Sequence, residues 1–433
     1  MVPARNFAYG CLALIVLAAF GGQAFAANVA VGLCAAPGTH YTTIQAAVNA
    51  VSVGGKVEVC PGIYPEQVSI NKSLTLLGIA AGTTDAAVIV TPSGGLAQTG
   101  TDIFGNPVAA QVLVTGTTAV TVSHLTVDGS NNGLSGCSVD PIGIYFQNST
   151  GTITYNAVRN QLMDPADQGC QIGLAINVES STGFPAVTIS NNSVRNYDKN
   201  GITASGPGNG SSGPAVTVSG NTVIGIGATS AIAQNGIQIG FGATGSVTTN
   251  DVADDIYINP PCGGGNPQPL CYGSSGILIY ASSGVSVSTN IVESTQLGIA
   301  TASDPTYGLA DNTSIKTNHI GGTQSFDAID LCSDGNTAET NIIYGSAQSG
   351  VHIDDECPNS TGSNNTVTKN TINEACAGVL VGPSSTGNTI GPNTFGNVTN
   401  TTLAGDVCTP LAQVKTRGKH SSFRPSARKP SRE

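Results

Sequence analysis

The chain has 433 residues, of which 56 are Gly and about one in ten is charged, with 11 Cys, no Trp and a formal net charge of −11. Few Glu, Lys and Arg beside abundant Gly, Thr, Ser and Val exclude a mainly helical protein, and a 39% apolar content in short Val/Ile runs excludes bulk disorder. Residues 27–408 hold 7 basic residues against 25 acidic ones, a net of −18, so the body lacks the cationic surface that nucleic acid requires.

At the front, Arg5 precedes an apolar run from Cys11 to Phe20, followed by Ala24-Phe25-Ala26. This pattern predicts a signal peptide over residues 1–26 cleaved after Ala26, and the run is too short to span a bilayer. Ten cysteines remain, an even number in an exported chain: Cys34, Cys60, Cys137, Cys170, Cys262, Cys271, Cys332, Cys357, Cys376 and Cys408. Many pairings are open. Their spacing favours bridges between sequence neighbours: 34–60, 137–170, 262–271, 332–357 and 376–408. With no CxxC pair in the chain, a zinc or thioredoxin-like site is not expected.

Next, Tyr41 to Val51 sets Ile44, Ala47, Val48 and Val51 at helical spacing behind a Thr N-cap, which predicts one amphipathic helix capping the end of a strand stack. From Val57 to Gly78 apolar residues alternate around the Pro61-Gly62 turn, a strand pattern. Downstream, apolar-x-x-Asn-x-apolar recurs at Asn156, Asn192, Asn221, Asn250, Asn290, Asn318, Asn341, Asn370 and Asn393. Gly-apolar-x-apolar begins at Gly143, Gly173, Gly201, Gly236, Gly276, Gly298, Ala328, Gly350 and Gly378. Units of this length hold two or three short strands that pair only by stacking on their copies, giving parallel sheets around one continuous core. The Asn residues are expected to stack as a hydrogen-bonded ladder at a turn rather than to act chemically.

The segment from Tyr41 to Gly78, together with the Asn repeat, resembles the N-terminal cap and coils of pectin-lyase-like right-handed parallel β-helix proteins, over residues 30 to 405. The resemblance implies an all-β right-handed parallel β-helix of about 11–12 coils, a rod of roughly 55 Å. The expected organisation is a signal peptide (1–26), one β-helix (27–410) and a basic disordered tail (411–433). The superfamily contains polysaccharide lyases, glycoside hydrolases, pectin esterases and uronate epimerases, and their signatures are incomplete here. Gly62-x-Tyr64-x-Glu66 is similar to a pectin esterase start, but the Arg-Pro-Trp segment is missing. The Gly-His-Gly of polygalacturonases is absent, and Asp164-Pro165 is followed by Ala166 instead of the His of mannuronan epimerases. Gly240-x-Gly242-x-x-Gly245 leads into a repeat strand, not a helix, so no dinucleotide site is expected.

The repeat also serves as a ruler. Aligning Gly298, Ala328 and Gly350 sets Ala300, Asp330 and His352 in one outward column, with Asp304, Asp334 and Glu356 in a second and Asp327, Asp354 and Asp355 nearby. Stacked like charges cost stability unless a cation or a shared proton relieves them, which marks the patch as a candidate site. Asp330, His352 and Asp354 are the catalytic candidates, for general acid–base work. Asp327, Asp334 and Tyr280 are the substrate-binding candidates, and Asp304, Asp355 and Glu356 the candidate ligands of Ca2+, the one cofactor considered. A solvated acidic edge explains the same residues without chemistry. Tyr145 and Tyr280 lie on or beside the exposed pattern, but without Trp an extended aromatic platform is not expected. Lys316 and Lys369 read as solvated. Two functions stay open: an exported protein that acts on or binds a polysaccharide, or a non-catalytic envelope or adhesion protein. Neither a nucleic-acid partner nor a membrane span is expected.

Overall fold

A computed structural model describes residues 27–80, 85–183, 185–258, 273–322 and 326–408. The expected signal peptide, the expected tail from 411 and the expected Cys262–Cys271 bridge lie outside the described residues. The chain winds as a right-handed parallel β-helix. One face is a 14-stranded sheet in which twelve strands, from Gly55–Val59 to Thr389–Ile390, follow one another coil by coil. The other two faces share a second sheet of 22 strands.

Register explains the sequence pattern. On the first sheet Ile153 pairs with Ile189, then Val218, Val247, Val287, Ile315, Ala338 and Val367 follow in line. On another face Ile144, Ile176, Ile202, Ile237, Ile277, Ile299, Ile329 and Val351 form a second buried row. Each short strand is marginal alone, and the stack buries one continuous apolar core. Gly236 shows why small residues recur at the corner before these Ile. A Cβ there would meet Val252 Cγ1 at 2.3 Å and the Gly276 carbonyl oxygen at 2.7 Å. The repeat alignment slips in one place: Ile144 pairs with Ile176, so Gly143 matches Ala175 and not Gly173.

The expected cap helix spans Ile44–Ala50, with the Thr43 side chain accepting the Ala46 N–H. Glu66 accepts the N–H groups of Ile44 (2.8 Å) and Gln45 (3.1 Å), and Tyr64 donates its hydroxyl to the Cys60 carbonyl (2.7 Å). Thus the Gly62-x-Tyr64-x-Glu66 motif satisfies free helix-terminal donors and a turn, a structural task. Among the described residues, four disulfides join sequence neighbours: Cys34–Cys60, Cys137–Cys170, Cys332–Cys357 and Cys376–Cys408. Among the described residues, no helix is long and apolar enough to cross a membrane.

The Asn ladder runs through the buried corner. Asn250 illustrates one rung. Its Oδ1 accepts the Asn221 N–H (3.0 Å) and Nδ2–H (2.9 Å), while its own Nδ2 donates to the Val218 carbonyl and to Asn290 Oδ1, both at 3.0 Å. The left-handed conformation falls not on the ladder Asn but on the residue before it, including Thr249, Thr289, Thr317, Thr340 and Lys369. A shorter second ladder links Asn336, Asn365 and Asn388.

Two stability outcomes follow from these buried polar groups. Asn250→Ala strands a backbone N–H, a carbonyl and two amides away from water, and a loss of about 2–4 kcal/mol is expected in urea denaturation. Asp255 is fully buried, with Oδ1 accepting the Tyr197 hydroxyl at 2.7 Å and Oδ2 lacking a partner. Burial, then repulsion from Asp254, pushes its carboxyl well above the usual range. A raised folded-state value means stability present at low pH and lost as pH rises. Asp255→Asn should therefore raise Tm at pH 8, with the gap closing toward pH 4, as followed by thermal melts.

Candidate functional site

The Ile144-to-Val351 face carries the candidate site on its outer side. Ala300, Asp330 and His352 are register partners on three successive coils, and Leu380 follows His352. The site is not an open surface patch: His352 is 6% exposed and Asp327 2%. His352 Nδ1 meets Asp327 Oδ2 at 3.3 Å, and Asp327 Oδ1 accepts the Ser349 N–H at 2.9 Å and hydroxyl at 2.5 Å. Asp327 is thus consumed in orienting the imidazole and does not face a substrate. The other ring nitrogen, Nε2, is buried without a partner, and so is Asp330 Oδ1. One donor atom each from Asp330, His352 and Asp354 lies within 4.8 Å of the others.

The electrostatics follow from this crowding. Burial disfavours charge on His352, but the hydrogen bond and field of Asp327, with Asp330 and Asp354 adding to them, outweigh it and raise the imidazolium to about 10. Burial, and then Asp354, drives the Asp330 carboxyl well upward against the pull of His352. The loop beyond His352 is fastened to the preceding coil by Cys332–Cys357. The disulfide removes both sulfurs as ligands although they lie close to Asp354.

The second expected column does not form, because the chain leaves the strand before reaching it. Asp304 sits in a turn, bridging to Gly308, where it accepts the N–H groups of Thr306 and Tyr307 and the Tyr280 hydroxyl. Asp334 belongs to the next corner, accepting the Ser360 hydroxyl and the Ser363 N–H, and donates its N–H to Asp311. Asp355 accepts the Ser384 N–H, and Glu356 is exposed. Asp304, Asp355 and Glu356 are accordingly not brought together as a ligand set among the described residues.

Sequence reasoning missed three groups. Ser349 carries no signature beyond its place in the register. Asp406 is raised to about 6 by burial and by its contact with Asp355, and its place beside the cluster is set by the last coil. Four aromatic residues meet on the same face: Phe241 lies 5.5 Å from Phe104, 4.9 Å from Tyr307 and 5.3 Å from Tyr280, ring centre to ring centre. Phe104 is 43% and Tyr307 36% exposed, so three further rings gather around the candidate Tyr280, although no extended platform was expected. Tyr145, by contrast, is buried and donates to Glu179 at 2.5 Å. Lys316 and Lys369 both pair with Glu339.

A solved lacto-N-biosidase of glycoside hydrolase family 136 from Eubacterium ramulus shares the fold. It is 11% identical, with a TM-score of 0.52, over 86% of this chain and 67% of that one. The Dettilon tailspike protein is 16% identical with a TM-score of 0.51, over 81% and 62%. This chain has the right-handed parallel β-helix fold. The A-module of mannuronan C-5 epimerase AlgE4 from Azotobacter vinelandii is 14% identical with a TM-score of 0.49, over 83% and 92%. Residues 215–414 of the β-helix protein match the family described as periplasmic copper-binding protein NosD, and the candidate site falls inside that segment. No curated protein matches. The disulfides fit an oxidising compartment outside the cytoplasm, and the matching family is described as periplasmic.

Within the cluster the carboxylates play opposite parts, which substitution separates. Asp327→Asn loses the charge that pairs with His352 and should lower Tm. Asp330→Asn relieves crowding among like charges and should leave Tm equal or higher, both read by differential scanning calorimetry at pH 7.5.

Proposed function

We propose that this protein acts on or binds a polysaccharide outside the cytoplasm, with the outer face of the Ile144-to-Val351 sheet as its working surface. The reading rests on the buried Asp327–His352 pair aimed at Asp330 and Asp354, because a solvated acidic edge has no need of an oriented, shielded imidazole. In this reading Asp327 positions His352. His352, Asp330 and Asp354 are the groups placed to act at a glycosidic oxygen or beside a uronate, as proton carriers when free or by polarising the substrate when they share a bound cation. The aromatic cluster supports it, since exposed rings on the same face suit the apolar side of a sugar. Tyr280 aligns with Ala302 and then Cys332, so Tyr280 lies about two to three coils, roughly 10–14 Å, from the carboxylates along the rod. The lacto-N-biosidase is a carbohydrate-active example of the same architecture.

The test is a screen on pectate, alginate and neutral glycans, following unsaturated-product absorbance, reducing ends and binding. Turnover or binding that falls at least 10-fold in His352→Gln and Asp330→Asn supports the proposal. Activity that survives both substitutions moves the site elsewhere. No turnover and no glycan binding leaves the envelope or adhesion role, with the helix as a rigid spacer.

A further inference from the structure

We propose that Asp330, His352 and Asp354 hold one divalent cation of the first transition series. Three features of the cluster point to a ligand. His352 presents an unpartnered Nε2 from a ring that is more than nine-tenths buried, an arrangement a folded protein seldom leaves without a partner. Its Nδ1 is engaged by Asp327, which is itself fixed by the backbone and hydroxyl of Ser349. That outer carboxylate is what orients a metal-bound imidazole and raises its basicity. Asp330 adds a buried carboxylate oxygen with no partner, and the three donor atoms are mutually within 4.8 Å. Three carboxylates around one imidazole leave an excess of negative charge that a cation balances.

The donors also select the ion. An imidazole nitrogen beside only two carboxylates favours a transition-series ion over Ca2+, which prefers six to eight oxygens. Copper, which the matching family's description names, is tested by the same residues. Residues 215–414 contain no Met, and their described cysteines are joined in Cys332–Cys357 and Cys376–Cys408. Among the described residues, sulfur coordination of Cu(I) therefore has no donors there. The nitrogen–oxygen set suits Zn2+, Mn2+ or Cu2+, with Cu2+ bound most tightly by the general order for such ligands. Asp330 lies on one coil and His352 with Asp354 on the next, so the ion would clasp two coils.

The experiment uses the full chain stripped with chelator and needs no glycan, so it is independent of the polysaccharide proposal. Titration with Zn2+, Cu2+ and Ca2+, with elemental analysis after dialysis, should give one Zn2+ or Cu2+ per chain and far weaker Ca2+ binding. Asp327→Asn should weaken the ion about 10- to 100-fold. In His352→Gln, the single-nitrogen pattern in the Cu2+ electron paramagnetic resonance spectrum should vanish. Asp330→Asn, expected to stay folded by its Tm, should also lose the ion, which separates lost ligation from unfolding. No retained ion, tighter Ca2+ than Zn2+, or binding unchanged in His352→Gln and Asp330→Asn would overturn the assignment.

Discussion

Everything in this protein depends on coil-to-coil register. No strand of three to six residues has a core of its own. Each is fixed by main-chain hydrogen bonds to the strands above and below, and by the Asn side chains that repeat those bonds at the corner. Once Ile299, Ile329 and Val351 are stacked inward, Ala300, Asp330 and His352 are obliged to stack outward. The candidate site is a by-product of the same alternation that builds the core.

This is why part of the site was legible in the sequence. The alignment of Gly298, Ala328 and Gly350 holds inside the strands, and it predicts the Asp330–His352 contact. Beyond the strand ends it fails, because Asp304 turns back on Gly308 while Asp334 passes on to the next corner. A fixed offset counts residues, whereas loops of different length spend them differently. The same limit hides the aromatic cluster: Phe104, Phe241 and Tyr307 lie in loops far apart in sequence, and only the winding of the rod brings them together. The fold, by contrast, was readable from residue 41 onward, since the Asn and Gly periodicities repeat often enough to average out insertions.

Charge and burial sharpen what composition alone suggests. The acidic body is not evenly coated: its most crowded carboxylates are shielded, and one of them, Asp327, is held in place by Ser349. A protein that needed only solubility would leave them in water. Confining them beside an imidazole raises Asp330 and His352 in opposite chemical senses, keeping one more neutral and the other more cationic.

The ladder Asn residues are separated by intervals as short as 23 and as long as 40 residues, yet each rung closes with the same pair of bonds. A coil is therefore a module that tolerates insertion without disturbing its neighbours. Because Asp327 and Asp330 come from one coil, and Ser349, His352 and Asp354 from the next, the whole constellation is a two-coil cassette. Gene duplication or recombination can move, copy or delete such a cassette along a solenoid as a unit. Selection can thus act on the chemistry of this rod while leaving its architecture untouched.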